Sequence, residues 1–262
     1  LKFPDFIIAG FMKCGTTQLF LNLNKHPGVT MCKPAGPIRP GISGGTEMRF
    51  WGLNNWKRGI DWYKSKFKGD ICGEKSPDYA GYKKCIRLMS KHAPDTKLLI
   101  GIRNPLDRAY SHYQMNVQQR KVSWPFTLSN CKRQNRGKMY LRLGMYHKLL
   151  ANNIFEFFPR EQIYIYICER MKNNLTEEMK KLCEFIGAEQ IELPSEIIPT
   201  SQRYSKRRKD DMYKDGQDKV YKVWSREYEP LKKKVKREFN SFYREHNKKL
   251  FDLLGHRIKE WE

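Results

Sequence analysis

Short apolar runs alternate with amphipathic stretches along most of this chain. Phe3 to Gly10 (FPDFIIAG) is nearly continuous in apolar residues, as are Lys97 to Ile102 (KLLIGI) and Gln162 to Cys168 (QIYIYIC). Runs of this length, bounded by turn residues, predict strands buried on both faces. Asp70 to Gly73 predicts a shorter fourth strand. Between these runs the apolar spacing widens to three and four residues. That spacing predicts helices over Thr16–Lys25, Trp56–Phe67, Tyr82–His92, Pro105–Gln119, Gly144–Phe158 and Leu175–Ile186, the last closed by Gly187. A helical pattern returns over Val220–Leu254, with Tyr228-Glu229-Pro230 breaking or starting it, and Ser201–Lys219 reads as a polar surface loop. The alternation predicts a single α/β domain whose parallel sheet is flanked by helices. One segment, Pro34 to Gly45, carries three prolines and four glycines and is long for a connecting loop, which marks it as a candidate functional segment.

Composition narrows the class. Of 262 residues, 39% are hydrophobic and 13% aromatic, enough for a sizeable core, so global disorder is excluded. No stretch approaches the roughly 20 apolar residues of a membrane span. The chain opens on a strand without an initiator Met and reaches its first motif within about ten residues, as expected of a domain excised from a longer protein. Seven cysteines show neither C-x-x-C pairs nor Cys/His ligand spacing, so no metal site is expected. Lys and Arg number 51 against 28 Asp and Glu, a formal charge of +23 that points to a polyanionic partner.

The first strand runs into Gly10-Phe11-Met12-Lys13-Cys14-Gly15-Thr16-Thr17 and then a helix. A helix N-terminus after a glycine turn offers unpaired N–H groups to an anion. The glycines have P-loop separation, but Thr16 stands where that motif has lysine, and Lys13 lies inside the loop. After the strand ending at Ile102 comes Arg103-Asn104-Pro105-Leu106-Asp107-Arg108-Ala109-Tyr110-Ser111. An arginine at the carboxyl end of a parallel strand sits where such sheets bind ligands, and its fork suits a phosphate.

The K-x-G-T-T turn followed by R-N-P-x-x-R-A-Y-S resembles the nucleotide-binding motifs of sulfotransferases that use 3′-phosphoadenosine 5′-phosphosulfate (PAPS). The resemblance implies that Lys13, Cys14, Gly15, Thr16 and Thr17 form a P-loop-like phosphosulfate-binding turn, and that Arg103 and Ser111 hold the 3′-phosphate. Arg108 is expected to be structural, paired to a carboxylate. Glu47-Met48-Arg49-Phe50-Trp51 and Glu74-Lys75-Ser76-Pro77-Asp78-Tyr79 resemble strings of the carbohydrate branch, the heparan sulfate N- and 3-O-sulfotransferases. On that match Glu47 is the catalytic base, and Lys13 and Lys75 stabilise the departing phosphate. Arg49 replaces the family's histidine and Trp51 its phenylalanine. Arg49, Asp78 and Tyr79 are expected on the acceptor side, and Glu74 with Lys75 could instead be a plain surface ion pair.

Ser205-Lys206-Arg207-Arg208 resembles the family's late S-K-G-R string, which closes over the cofactor phosphates. His112 is expected to be partly exposed, and Gly144-Met145-Tyr146 to pack towards the acceptor cleft. Sulfonyl transfer is an in-line displacement in which positioning and charge stabilisation dominate, so lysines suffice without a metal. The products expected are a sulfated acceptor and adenosine 3′,5′-bisphosphate. The charge excess, spread along the chain, favours an acidic glycan over specific nucleic acid. A small alcohol or phenol acceptor, a P-loop nucleotide kinase and a noncatalytic polyanion-binding module are the competing readings. The resemblance implies the Golgi lumen for a trimmed, membrane-anchored enzyme, with the cytoplasm as the alternative.

Overall fold

The computed structural model describes residues 1–32, 47–191 and 228–261, and the backbone of 212–214 and 220–222. Five strands, β1 (Phe6–Gly10), β2 (Val29–Met31), β3 (Ile71–Lys75), β4 (Lys97–Ile102) and β5 (Ile163–Ile167), form a parallel sheet in the order β2-β3-β1-β4-β5. The helices are α1 (Thr16–Leu23), α2 (Ile60–Lys64), α3 (Lys83–His92), α4 (Pro105–Gln118), α5 (Leu128–Arg133), α6 (Asn135–Arg142), α7 (Tyr146–Leu149, continued as a π-helical turn over Leu150–Phe155), α8 (Cys168–Asn173), α9 (Leu175–Ile186) and α10 (Lys233–Leu254). A separate antiparallel ribbon pairs β6 (Met212–Lys214) with β7 (Val220–Lys222).

The sheet explains why the strand sequences show no alternation. All five residues of β1 are buried, because Ile7 and Ala9 join the core on one face while Phe6 and Ile8 join that on the other. On the second face Leu19, Phe20 and Leu23 of α1 and Met179, Leu182 and Ile186 of α9 cover the strands. Each such side chain, once buried, contributes about 1.5–3 kcal/mol. A third cluster, with Leu106, Tyr140, Phe239 and Tyr243, ties α4 and α6 to α10.

Caps fix the helix ends. Asn104 Oδ1 accepts from the N–H groups of Leu106 and Asp107 at 3.1 and 3.3 Å, and Pro105 follows it at the first helical position of α4. The capping holds α4 directly behind the end of β4.

The helix expected over Trp56–Phe67 is split by Gly59, whose φ of 84° ends a 3₁₀ turn at Trp56–Arg58 before α2 begins. The pattern over Val220–Leu254 starts as a strand, and α10 begins only at Lys233, beyond Pro230. The Gly144–Phe158 helix starts at Tyr146. The strand β2 and the helices α5, α6 and α8, each of three to eight residues, were not anticipated. No helix among the described residues is long and apolar enough to cross a membrane. All seven cysteines are buried.

Gly10, where β1 enters the turn, faces the Ala80 side chain so closely that a Cβ at position 10 would collide with it. Gly10→Ala is expected to destabilise the fold by about 1–3 kcal/mol, read as a lower urea midpoint. Adding Ala80→Gly should recover most of the loss, and additivity of the two substitutions would show that this contact is not the cause.

Candidate active site

Adjacent strands of one parallel sheet bring their carboxyl ends together, and here β3, β1 and β4 deliver Lys75, Lys13 and Arg103 to one edge. The turn after β1 is built on two left-handed residues, Lys13 at φ 71° and Gly15 at φ 79°. Gly15 caps α1 without a side-chain hydrogen bond, which leaves first-turn N–H groups pointing into the turn. Cys14 is buried beneath it, 3.7 Å from the Tyr146 hydroxyl. Thr16 is buried and Thr17 exposed at the start of α1.

Lys13 is half-buried and its Nζ has Met115 Sδ as neighbour at 3.9 Å. Burial, reinforced by Arg103 and Arg108, lowers its pKa to about 8. Arg103 donates to the Lys13 carbonyl at 3.3 Å, and its buried Nε has no partner. Ser111 is buried one helical turn before Met115 on the same face of α4. Three cations and an orphaned guanidinium N–H gathered at a helix N-terminus form a cradle suited to a multiply charged anion.

The Glu47 carboxylate reaches this cradle through Lys75. Lys75 is 1% exposed; its Nζ donates to Thr17 Oγ1 at 3.2 Å and lies 3.6 Å from Glu47 Oε1. Glu47 pairs with Lys75 as an isolated parallel bridge alongside β3. Burial raises the Glu47 carboxyl pKa, against the pull of Lys75. Arg49 is 3.7 Å from Glu47 Oε2 and also binds the Asp78 carboxylate. Burial lowers the Lys75 pKa while Glu47 raises it.

Several expectations need correction. Glu74 and Lys75 are not a surface pair: both are buried, and strand alternation sends them to opposite faces. Tyr79, expected on the acceptor side, is wholly buried with its hydroxyl between the Phe50 N–H and Glu74. Arg108 is structural, but its main partner is the Tyr140 carbonyl instead of a carboxylate. His112 is buried against Tyr140 and Arg108, and burial lowers its pKa well below the ordinary value. Tyr146 packs against Arg103: its hydroxyl donates to the Arg103 carbonyl at 2.9 Å and accepts from the Arg103 N–H at 3.3 Å. Ser205, Lys206 and Arg207 lie outside the described residues. Among the described residues no cluster of His, Cys, Asp or Glu is arranged to hold a metal ion.

The sequence gives Tyr63 no site role and Glu74 none beyond its motif. The available signal was a carboxylate beside a lysine inside a strand of apolar character, which demands internal partners for both charges.

Residues 3–255 match the family model described as a sulfotransferase domain. The chain belongs to the sulfotransferase family. It is 26% identical over 288 residues to the human bifunctional heparan sulfate N-deacetylase/N-sulfotransferase 3, covering 99% of this chain and 31% of that protein. It is 25% identical over 268 residues to the mouse heparan sulfate glucosamine 3-O-sulfotransferase 3B1, covering 97% of this chain and 64% of that one. The chain therefore spans about a third of the first relative and somewhat under two-thirds of the second. The fold also matches a sulfotransferase structure from Alicyclobacillus acidocaldarius with a TM-score of 0.70 at 22% identity, covering 100% of this chain and 99% of that one.

With Lys13 titrating at about 8, an anion that favours the ammonium form must capture a proton to bind above that pH. Calorimetry should show affinity for adenosine 3′,5′-bisphosphate level below about pH 8 and falling up to about tenfold per unit above it. Lys13→Arg, whose charge persists, should flatten the profile. An unchanged slope in that variant would place the titration elsewhere.

Proposed function

We propose that this sulfotransferase-family chain transfers a sulfonate from PAPS to a hydroxyl or amine of an acidic carbohydrate. The observation that carries the reading is the position of Lys75 Nζ, 3.2 Å from Thr17 in the anion-binding turn and 3.6 Å from the Glu47 carboxylate. One buried ammonium thus joins a donor-side cradle to an acceptor-side base.

The donor-side residues fit the cofactor. Lys13, Thr16, Thr17 and the first turn of α1 would hold its 5′-phosphosulfate, and Arg103 with Ser111 its 3′-phosphate; the orphaned Arg103 Nε is a donor awaiting such a group. PAPS, when bound, supplies an activated sulfonate with a phosphate leaving group. Lys13 and Lys75 present positive charge where negative charge accumulates on that phosphate. Glu47, its pKa raised by burial, accepts the proton of the acceptor hydroxyl or amine as the new bond forms. Thr17 and Glu47 hold the Lys75 ammonium in place before substrate arrives, so little reorganisation is needed during transfer.

An acidic glycan is supported by two independent features. The formal charge of +23 far exceeds what a single nucleotide cofactor uses, and attraction of a polyanion is its simplest physical consequence. The two curated relatives described above are named as heparan sulfate sulfotransferases. On this reading the compartment would be one where such glycans are sulfated, the Golgi lumen.

Glu47→Gln should lower turnover by about 100-fold or more, measured as transfer of ³⁵S from labelled PAPS to heparan or chondroitin chains, with adenosine 3′,5′-bisphosphate affinity changed little. Full turnover in the variant removes Glu47 as the base. Labelling of uncharged alcohols or phenols alone would overturn the acidic-glycan acceptor.

A further inference from the structure

Glu74 lies at the centre of a hydrogen-bond array that the proposed chemistry does not use. Its Oε1 accepts from the hydroxyls of Tyr63 at 2.8 Å and Tyr79 at 3.1 Å, and its Oε2 from the hydroxyl of Ser76 at 2.8 Å. Each hydroxyl in turn accepts from one of three consecutive residues. Ser76 Oγ takes the Arg49 N–H at 2.8 Å, the Tyr79 hydroxyl the Phe50 N–H at 2.6 Å, and the Tyr63 hydroxyl the Trp51 Nε1–H at 3.1 Å. The three relays share one direction, from segment N–H to hydroxyl to carboxylate.

That direction requires an acceptor-only hub. Each hydroxyl has a single proton and spends it on Glu74, so its oxygen is free to accept from the segment. An amide at position 74 would offer an NH₂ on one side, turning one or two hydroxyls around or leaving them unpaired. The held segment also contains a strained residue: Arg49 has φ 45°, a conformation a non-glycine residue adopts only where its surroundings impose it. Through this backbone geometry the Arg49 side chain reaches Asp78 and Glu47.

We infer that Glu74 is a positioning residue, whose carboxylate fixes the segment Arg49–Trp51 through three hydroxyl relays and thereby aims Glu47 and Arg49 at the acceptor side of the site. The inference rests on the sulfonate-transfer reading only for what the positioned residues do; the positioning itself can be read without turnover. Glu74 touches neither acceptor nor cofactor and acts through the segment it holds.

Amide hydrogen exchange on the intact protein provides the test. In Glu74→Gln, exchange at Arg49 and Phe50 should accelerate by about tenfold or more while the amides of β4 keep wild-type protection. Ser76→Ala should accelerate Arg49 selectively and Tyr79→Phe should accelerate Phe50 selectively; these two variants decide the matter if Glu74→Gln does not fold. With an active preparation, Glu74→Gln should lower kcat by about tenfold or more and leave the KM for PAPS unchanged. Wild-type exchange at Arg49 and Phe50 in a folded Glu74→Gln protein would overturn the inference, as would equal acceleration across β4 in all variants. Absence of turnover in the wild type, with the exchange pattern as expected, would remove the sulfonate-transfer reading and leave the positioning role standing.

Discussion

Two neighbouring charges buried on one strand constrain this molecule more than any other feature. Glu74 and Lys75 are 0% and 1% exposed on β3, which lies inside the sheet between β2 and β1. Burying an unpaired ion costs several kcal/mol, and because adjacent strand residues face opposite ways, the two cannot neutralise each other. Each must find partners on its own face. Glu74 does so with three hydroxyls among the aromatic rings of Phe50, Trp51 and Tyr63. Lys75 does so with Glu47 and Thr17, above the ring of Phe20. The solution to one problem of burial therefore builds both halves of the site. Burial pushes Glu74 up to about 7 even against three hydrogen bonds that favour its charge, so the acceptor-only array is complete above that pH and loosens as the carboxylate takes a proton below it.

The cationic edge has the opposite character, since its charges are left under-compensated. Burial, with the charges of Arg103 and Arg108 beside it, lowers the Lys13 pKa to about 8. Such repulsion costs stability in the free protein and is relieved by an anion, so it is stored in advance for binding. The scaffold keeps the arrangement from splaying: Tyr146 clamps the Arg103 backbone through both its N–H and its carbonyl, and Arg103 in turn holds the Lys13 carbonyl. Lys13 and Arg103, about ninety residues apart in sequence, are thereby joined by side chains as well as by strand pairing.

Much of this was legible in the sequence. The strands β1, β4 and β5 and the helices α1, α4 and α9 announced themselves through apolar period and caps, because those signals are local. The turn at Lys13–Thr17 and the arginine at 103 were legible for the same reason: a strand followed by a glycine turn has few other uses. What escaped notice depends on contacts between distant segments. The Tyr63–Glu74–Tyr79 array joins α2, β3 and the turn that follows β3, and no spacing rule links position 63 to 74. His112 reads as partly exposed because a lone helical histidine usually is, yet α6 covers it through Tyr140. Gly59 hid a break in the Trp56–Phe67 helix because the apolar period continues through it while the backbone does not.

The place of Arg49 changes where acceptor selectivity must come from. An arginine in place of the family's histidine suits either holding an anionic acceptor or tuning Glu47. The structure has Arg49 already bound to Asp78 and within 3.7 Å of Glu47, so much of its charge is answered internally. An arginine so engaged serves better to orient the base than to attract a distant polyanion. The remaining attraction belongs to the many exposed lysines and arginines distributed over the surface, whose fields sum over a Debye length of about 8–10 Å at ordinary salt. On the proposed function, recognition of an acidic chain would divide into two physical parts: a diffuse, salt-sensitive pull from the surface that brings the polymer near, and a short constellation at Glu47, Arg49 and Lys75 that selects the group to be modified. The second part would depend on the geometry that the Glu74 hydrogen bonds hold, so it is expected to tolerate salt that abolishes the first.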